Sequence, residues 1–199
     1  MQISVPTYWN IDYIINQLDE FGFCLIDNVY PPTYLNAVRQ ECTLRLDDFR
    51  KAAIQNGVMD KIRSDHILWL DDTLPIAKQH TDYLMAFAKI LNQTFYLGIK
   101  DVEAHFACYN AGEFYALHRD NPQKKNGRMI SSVFYLHQTW QENWGGELRL
   151  QDKKGTWHTI LPEPNRLALF QSDLLHEVLI SKQQRLSITG WLRSDSTLF

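Results

Sequence analysis

A histidine and an aspartate interrupt an otherwise apolar stretch of this sequence, YALHRDNP at residues 115–122. Side chains of an extended chain alternate between two faces, so His118 and Asp120 point the same way while Arg119 points the opposite way. An imidazole and a carboxylate on one face are two potential metal ligands. Because the His-x-Asp pattern is common by chance, a metal site here requires a third ligand elsewhere in the chain.

His176 begins the strand-like segment HEVLISK and is the candidate third ligand. Two histidines and one carboxylate form the facial set typical of non-haem Fe(II), which leaves three coordination positions open. The same ligands also bind zinc, which would favour hydrolysis. The remaining histidines have no evident partner and are predicted to be ordinary surface or core residues: His66, His80, His105, His137 and His158.

Arg185 separates these two interpretations of the metal. The segment RLSITGWLR predicts a strand with one face formed by Arg185, Ser187, Thr189 and Trp191. A guanidinium that points into an apolar interior is costly unless an anion meets it, and its fork of donors suits a carboxylate. A small diacid could chelate iron at one end and pair with Arg185 at the other, which indicates 2-oxoglutarate. Taken alone, Arg185 could equally form an ordinary salt bridge with a glutamate.

The first hundred residues show helical spacing of apolar residues around a few short strands. A first helix is followed by Gly22 and the strand FCLIDN, and a third helix covers about 76–94. The second helix begins at Pro31-Pro32, and its predicted buried side consists of Leu35, Val38, Cys42, Leu44 and Phe49.

From residue 101 onward, short apolar segments alternate with turn residues. They predict eight strands, HFACYN, FYALHRD, MISSVFYLH, GGELRLQ, TWHTILPE, RLALFQS, HEVLISK and RLSITGWLR. Closely spaced strands of this kind favour a two-sheet jelly roll, which can hold a site between its sheets. We therefore predict a mainly β fold with flanking helices. It would form one domain over 1–199, with helical support over 1–100 and a double-stranded β-helix (jelly roll) core over 101–193.

Composition argues against several classes of partner. A net charge of −3 and an isoelectric point near 6.1 provide no basic field for nucleic acid. The sequence starts without a secretory signal pattern, and no apolar stretch approaches the ~20 residues that span a bilayer. Cys24, Cys42 and Cys108 form no CxxC pair and fit free thiols in a reducing compartment. A cytoplasmic protein without nucleic-acid or membrane partners is expected.

Several motifs together resemble those of one enzyme family. ACYN, HRDNP, NGR, FYL, WGGELRL, HEV and RLSITGW occur across about residues 104–193 in the order found in the prolyl 4-hydroxylase branch of the 2-oxoglutarate/Fe(II) dioxygenases. Within that branch the chain is most similar to the prolyl hydroxylases of the hypoxia-inducible factor and their bacterial relatives. IRSDHILW also resembles the Arg-Gly-Asp-x-Ile-x-Trp stretch of the branch, with Ser64 where glycine is usual.

The resemblance implies a role for each matching residue. Fe(II) would be bound by His118, Asp120 and His176. The distal carboxylate of 2-oxoglutarate would be held by Arg185 and Tyr135, and the rest of its pocket would be formed by Tyr109, Leu148, Thr189 and Trp191. Positions near the substrate mouth are matched by Tyr115, Arg128, Asp65 and Trp69. The segment AAIQNGVMDK, residues 52–61, matches a mobile substrate-closing loop of the family in position but is shorter.

The implied activity is 4-hydroxylation of a prolyl residue in a protein. It would use Fe(II), with 2-oxoglutarate and O2 as cosubstrates and ascorbate as a candidate reductant, and it would release succinate and CO2. Bacterial relatives act on a proline of elongation factor Tu, which makes that protein the leading substrate prediction. Two alternatives stay open: the same chemistry on another protein side chain or a small molecule, and a non-catalytic module that senses metal or 2-oxoglutarate.

Overall fold

A computed structural model describes residues 3–52, 62–122 and 127–195. Apart from Ala52, the predicted closing loop at 52–61 lies outside the described residues. The described chain forms three α-helices and eleven β-strands, and the mainly β fold with flanking helices is confirmed.

The helices begin where the sequence supplies capping groups. Helix α1 (Ile11–Glu20) starts after Asn10, whose side chain accepts a hydrogen bond from the Tyr13 N–H at 3.0 Å. Helices α2 (Pro32–Thr43) and α3 (Pro75–Phe95) each begin with a proline, which has no N–H to leave unpaired. The carboxylate of Glu41 in α2 accepts the first free N–H groups of α3, from Ile76 and Ala77.

The strands form two antiparallel sheets. The strand bounds are β1 (Phe23–Ile26), β2 (Arg50–Lys51), β3 (His66–Trp69), β4 (Asp101–Tyr109), β5 (Tyr115–His118), β6 (Arg128–Tyr135), β7 (Leu148–Gln151), β8 (Trp157–Ile160), β9 (Leu167–Gln171), β10 (His176–Val178) and β11 (Arg185–Arg193). The larger sheet has the order β1-β9-β6-β11-β4-β3-β2, and the smaller one has the order β5-β10-β7-β8. All eight strands predicted after residue 101 are present, and the predicted jelly roll is confirmed.

Two separate layers of apolar side chains stabilise this arrangement. One cluster packs all three helices against the outer face of the larger sheet and includes Leu18, Val38, Phe87, Phe106 and Ile188. A smaller cluster lies between the sheets and includes Val133, Leu148 and Phe170. The single domain over 1–199 stays a prediction, and the cluster that joins the helices to the sheet supports it.

The predicted buried side of α2 is wrong at its end. Leu44 follows buried Cys42 by two residues, which is about 200° of rotation in an α-helix, so it points away from the buried side and is 76% exposed. Phe49 is buried as predicted, but it follows a short 3-10 turn and is not part of the helix. Across the described ranges, none of the helices has the length and apolar character that crossing a membrane would need.

Candidate active site

The three predicted metal ligands meet at one end of the smaller sheet. Strands β5 and β10 pair antiparallel with His118 opposite His176, and Asp120 lies just beyond the end of β5. The Asp120 carboxylate oxygens lie 3.5 Å from His118 Nε2 and 3.6 Å from His176 Nε2. One ligand atom from each of the three residues lies within 4.8 Å of the others. This spacing suits a single metal ion bound by all three side chains.

Hydrogen bonds to the backbone fix the orientation of both imidazoles. The Nδ1 atoms of His118 and His176 lie 2.8 Å and 3.0 Å from the carbonyl oxygens of Ala116 and Leu174. Because a carbonyl oxygen only accepts, each Nδ1 carries the proton, and in the neutral ring Nε2 offers its lone pair. Burial, reinforced by the neighbouring His118, lowers the pKa of His176 to about 4 and keeps that ring neutral at pH 7.

Asp120 is held as a carboxylate by its surroundings. Its Oδ2 accepts a hydrogen bond from Ser131 Oγ at 2.6 Å, and Ser131 in turn lies 2.9 Å from Ser172 Oγ. Burial alone would raise the pKa of Asp120, but His176, His118 and the Ser131 hydroxyl outweigh burial and leave the pKa below its usual value. Metal binding requires ionised carboxylate and neutral imidazole ligands, and Asp120 and His176 are in these states.

The metal cluster opens into a cavity between the two sheets. Most of the sequence-predicted site residues contribute to its wall, namely Asp65, Tyr109, Tyr115, Leu148, Arg185, Thr189 and Trp191. Strand β11 supplies the last three because alternation along this strand turns them to the same face. The structure therefore brings the predicted pocket residues and the metal cluster to a common space.

Arg185 is the charged group of this wall that lacks an ionic partner. The residue is 1% exposed, and its Nη2 donates to the Tyr135 hydroxyl at 3.3 Å. Its Nε has no hydrogen-bond partner, and in the described part of the chain no carboxylate forms an ion pair with it. The alternative of an ordinary salt bridge to a glutamate is therefore wrong for the described residues. A buried guanidinium of this kind fits an anionic ligand.

Further polar atoms on the same strand also lack partners. Ser187 Oγ and Trp191 Nε1 are buried without a hydrogen bond to the described residues. The tyrosine rings of Tyr109 and Tyr135 flank the guanidinium carbon of Arg185 at 5.0 Å and 4.9 Å. Burial raises the pKa of both tyrosines, so their hydroxyls stay protonated and able to donate. A carboxylate at this end of the cavity would thus meet one cation and neutral donors.

Two glycines allow the chain to pass closely behind Arg185. Gly145 and Gly146, before β7, both adopt a positive φ of 71° that L side chains rarely take. A methyl group on Gly146 would lie 2.9 Å from Ser181 Oγ and 3.1 Å from Arg185 Cδ, and one on Gly145 would collide with the Ile180 carbonyl. The WGGELRL motif therefore permits tight packing against the arm of the arginine.

At the opposite end of the cavity, the charged groups pair with one another. Arg63 donates two hydrogen bonds to the Asp65 carboxylate, from Nε at 2.7 Å and from Nη2 at 2.6 Å. The same guanidinium covers the Tyr115 ring at 4.5 Å, and that ring stacks on His118 with 3.6 Å between centroids. A continuous series of contacts thus runs from the wall of the mouth to a metal ligand.

Three predicted site residues contact the cavity wall without lining the cavity. Tyr135 contacts it through its hydrogen bond and its ring contact with Arg185. Arg128 pairs with Glu103 and covers the Trp191 ring at 3.6 Å. Trp69 is 40% exposed and lines a neighbouring surface depression, with its ring edge-on to His105 at 5.1 Å.

The prediction for the other histidines is partly wrong. His158 has a partner, because its Nε2 lies 2.8 Å from Asp152 Oδ2 across the β7–β8 hairpin. His66 lies 3.3 Å from Glu113, and buried His80 bonds the Tyr30 hydroxyl at 2.8 Å. His105 is a buried residue, as predicted, but it also lines the cavity. Alternation along HFACYN, which turns His105 to the same face as Tyr109, could have indicated this.

A jelly roll with a two-histidine, one-carboxylate cluster beside a buried cation is the arrangement of a non-haem iron enzyme that binds an acidic cosubstrate. Comparison with known proteins agrees with this class. Residues 104–193 match the family model described as the 2OG-Fe(II) oxygenase superfamily. Human prolyl hydroxylase EGLN3 is 31% identical over 198 residues, which cover 91% of this chain and 82% of the human protein.

Solved structures show the same likeness in three dimensions. A Pseudomonas putida prolyl-4-hydroxylase matches with a TM-score of 0.86 and 31% identity, covering 94% of this chain and 100% of that chain. A Trichoplax adhaerens prolyl hydroxylase, solved with a peptide fragment of the hypoxia-inducible factor oxygen degradation domain, matches with a TM-score of 0.85 and 27% identity, covering 92% and 89%. The chain belongs to the 2-oxoglutarate/Fe(II) oxygenase superfamily and is a dioxygenase. Members of this family use Fe(II), 2-oxoglutarate and O2.

Proposed function

We propose that this dioxygenase hydroxylates C4 of a prolyl residue in a protein substrate and releases succinate and CO2. The observation that carries the proposal is the position of Arg185: a buried cation without an ionic partner in the described chain shares a cavity with the His118–Asp120–His176 cluster. The relatives with known structures add the substrate class, since those compared above are named prolyl hydroxylases.

In this proposal, each end of the cavity performs a different task. His118, Asp120 and His176 would hold Fe(II), which with 2-oxoglutarate and O2 supplies the oxidising chemistry when bound. Arg185 and Tyr135 would hold the distal carboxylate of 2-oxoglutarate. Ser131 keeps the Asp120 carboxylate oriented, and the apolar lining of Leu148, Val133 and Phe170 excludes water from the reacting atoms.

The mouth of the cavity would receive the target proline. Tyr115 and the Arg63–Asp65 pair form its rim next to His118, while Trp69 and Arg128 lie on the adjoining surface. Because proline fixes its own φ and lacks an N–H, the substrate segment would enter in an extended or turn conformation. Elongation factor Tu is our leading candidate, and it is supported by the resemblance to bacterial relatives alone.

A direct test is to incubate the iron-loaded protein with bacterial lysate, 2-oxoglutarate and air, and to search by mass spectrometry for a proline that gains one oxygen. We expect one such proline, formed together with succinate and absent with the His118→Ala variant. Succinate release without any modified proline would direct the search to another side chain or a small molecule. No succinate release from the iron-loaded protein would contradict the proposed activity.

The metal ligands are tested separately from the substrate. Asp120→Ala removes the charged ligand, so we expect the purified variant to hold little iron and to release succinate at background level. Metal analysis by mass spectrometry, with the folded state checked by circular dichroism, measures this. Full iron content in the variant would mean that Asp120 is not a ligand.

A further inference from the structure

His105 is a buried polar residue of the cavity wall that has no role in the metal cluster and none in the predicted contacts of 2-oxoglutarate. It lies in β4, directly opposite Thr189 of β11, and is 2% exposed while lining the cavity. An imidazole in such a wall is costly unless its polar atoms are used. One of its two nitrogens is accounted for within the chain, and the other is available to a ligand.

The tautomer of His105 follows from its backbone contact. Its Nδ1 lies 3.1 Å from the carbonyl oxygen of Phe106, and since a carbonyl oxygen only accepts, Nδ1 must carry the proton. Burial, followed by the nearby charge of Arg63, lowers the pKa of His105 to about 4, so the ring is neutral at pH 7. Nε2 then bears a lone pair, and it forms no hydrogen bond with any residue in the described ranges.

The location of His105 shows which ligand can reach this lone pair. In the register of β4 and β11, Tyr109 lies opposite Arg185 and His105 lies opposite Thr189. The two pairs are four residues apart along each strand, which is about 13 Å at the rise of an extended chain. The His105 ring also lies between those of Trp191, at 5.5 Å, and half-exposed Trp69, at 5.1 Å. His105 therefore lies away from the Arg185 end of the cavity and next to a half-exposed ring, where a protein substrate can reach it.

We propose that His105 Nε2 accepts a hydrogen bond from a backbone N–H of the protein substrate, next to the target proline. The inference rests on the proposed prolyl hydroxylation. Proline has no N–H of its own, so the donor must belong to a neighbouring residue. A backbone N–H is also the one donor that any protein substrate carries whatever its sequence. His105 is thus a positioning residue that sets the depth of the substrate chain, while Arg185 sets the position of 2-oxoglutarate.

The test uses synthetic peptides of the proline-containing segment that the lysate experiment identifies. In one ester peptide, the backbone N–H of the residue before the target proline is replaced by an ester oxygen. In a second ester peptide, the N–H of the residue after the proline is replaced in the same way. With the wild-type enzyme, we expect one ester to raise the KM for peptide about tenfold, as loss of one hydrogen bond to a buried acceptor would. The KM for 2-oxoglutarate should not change.

Variants of His105 then assign that effect to this residue. His105→Phe removes the acceptor, so its amide and ester peptides should have equal KM values, whereas His105→Gln keeps an acceptor oxygen and should restore part of the difference. If both esters match the amide in the wild type, or if the ester effect persists in His105→Phe, the inference is wrong. The wild-type comparison needs no variant and stays decisive even if His105→Phe fails to fold. Failure of every peptide to react would instead overturn the proposed prolyl hydroxylation, and this inference with it.

Discussion

The two ends of the cavity differ in whether their arginines have an ionic partner among the described residues. At the mouth, Arg63 is paired bidentately with Asp65, and Arg128 is paired with Glu103. At the deep end, Arg185 is fully buried and has only the neutral hydroxyl of Tyr135 as its hydrogen-bond partner in the described chain. The difference separates a structural cation from a binding cation. A paired arginine stabilises the wall, whereas an unpaired one is satisfied only when an anion binds.

The largest effect on stability should come from breaking a pair at the mouth. Arg63→Met leaves the carboxylate of Asp65, which is 1% exposed, buried without its counterion. We expect a loss of about 3 kcal/mol in the free energy of unfolding, measured by urea denaturation. Arg128→Met is the matched control, because Glu103 keeps Arg193 at 2.8 Å and the loss should be much smaller. Equal losses would contradict the distinction between the two pairs.

At the deep end of the cavity, replacing the arginine is expected to leave the stability of the protein unchanged or to increase it. Arg185→Met removes a buried charge that has no counterion among the described residues, so the ligand-free protein should be as stable as the wild type or more stable. The same change should raise the KM for 2-oxoglutarate about 100-fold, because a bidentate pair with its carboxylate is lost. Thermal unfolding and succinate release measure the two effects. The control Arg149→Met breaks the surface pair with Glu177 and should change neither the stability nor the KM for 2-oxoglutarate. Marked destabilisation by Arg185→Met would show that Arg185 is structural.

A smaller effect, on iron affinity, should follow from removing the Ser131 hydroxyl that supports the metal cluster. Ser131→Ala removes the 2.6 Å hydrogen bond to Asp120 and should weaken iron binding about tenfold, in the range usual for groups that orient a metal ligand. Ser132→Ala is its control, since that hydroxyl bonds the Gly190 carbonyl instead. Iron titration of both variants gives the comparison, and identical affinities would remove Ser131 from the support of the site.

The effect that is smallest at neutral pH concerns a buried group that is kept uncharged. Burial lowers the pKa of His80 from 6.5 to about 3. Between these values the unfolded chain binds a proton that the folded chain does not, so the free energy of unfolding falls as pH decreases. The slope from this residue is at most about 1.4 kcal/mol per pH unit. The variant His80→Phe should show a weaker dependence of the free energy of unfolding on pH between about pH 6 and 4, measured by urea denaturation. An unchanged slope would contradict this assignment.

Local patterns in the sequence predicted which side chains would face a common space. His118, Asp120 and three residues of the β11 face, Arg185, Thr189 and Trp191, follow from strand alternation, and all five line the cavity, whereas Ser187 of the same face does not. The prediction that Leu44 is buried is wrong because it followed the apolar side chain and not the helical spacing, which places position 44 on the side opposite Cys42. The pairing of His105 with Thr189 depends on two strands far apart in sequence. That pairing becomes evident only once the sheet has formed, although strand alternation already places His105 on the same face as Tyr109.

The Gly145–Gly146 turn has a consequence for how tightly a diacid can bind. The backbone of Gly146 passes so close to the arm of Arg185 that it restricts the rotation of this long side chain before any ligand arrives. A free arginine would lose that rotational freedom on binding, at a cost of about 1 kcal/mol. Here folding has already removed it, so the pocket is preorganised and a methyl group at position 146 would reduce affinity without touching the ligand.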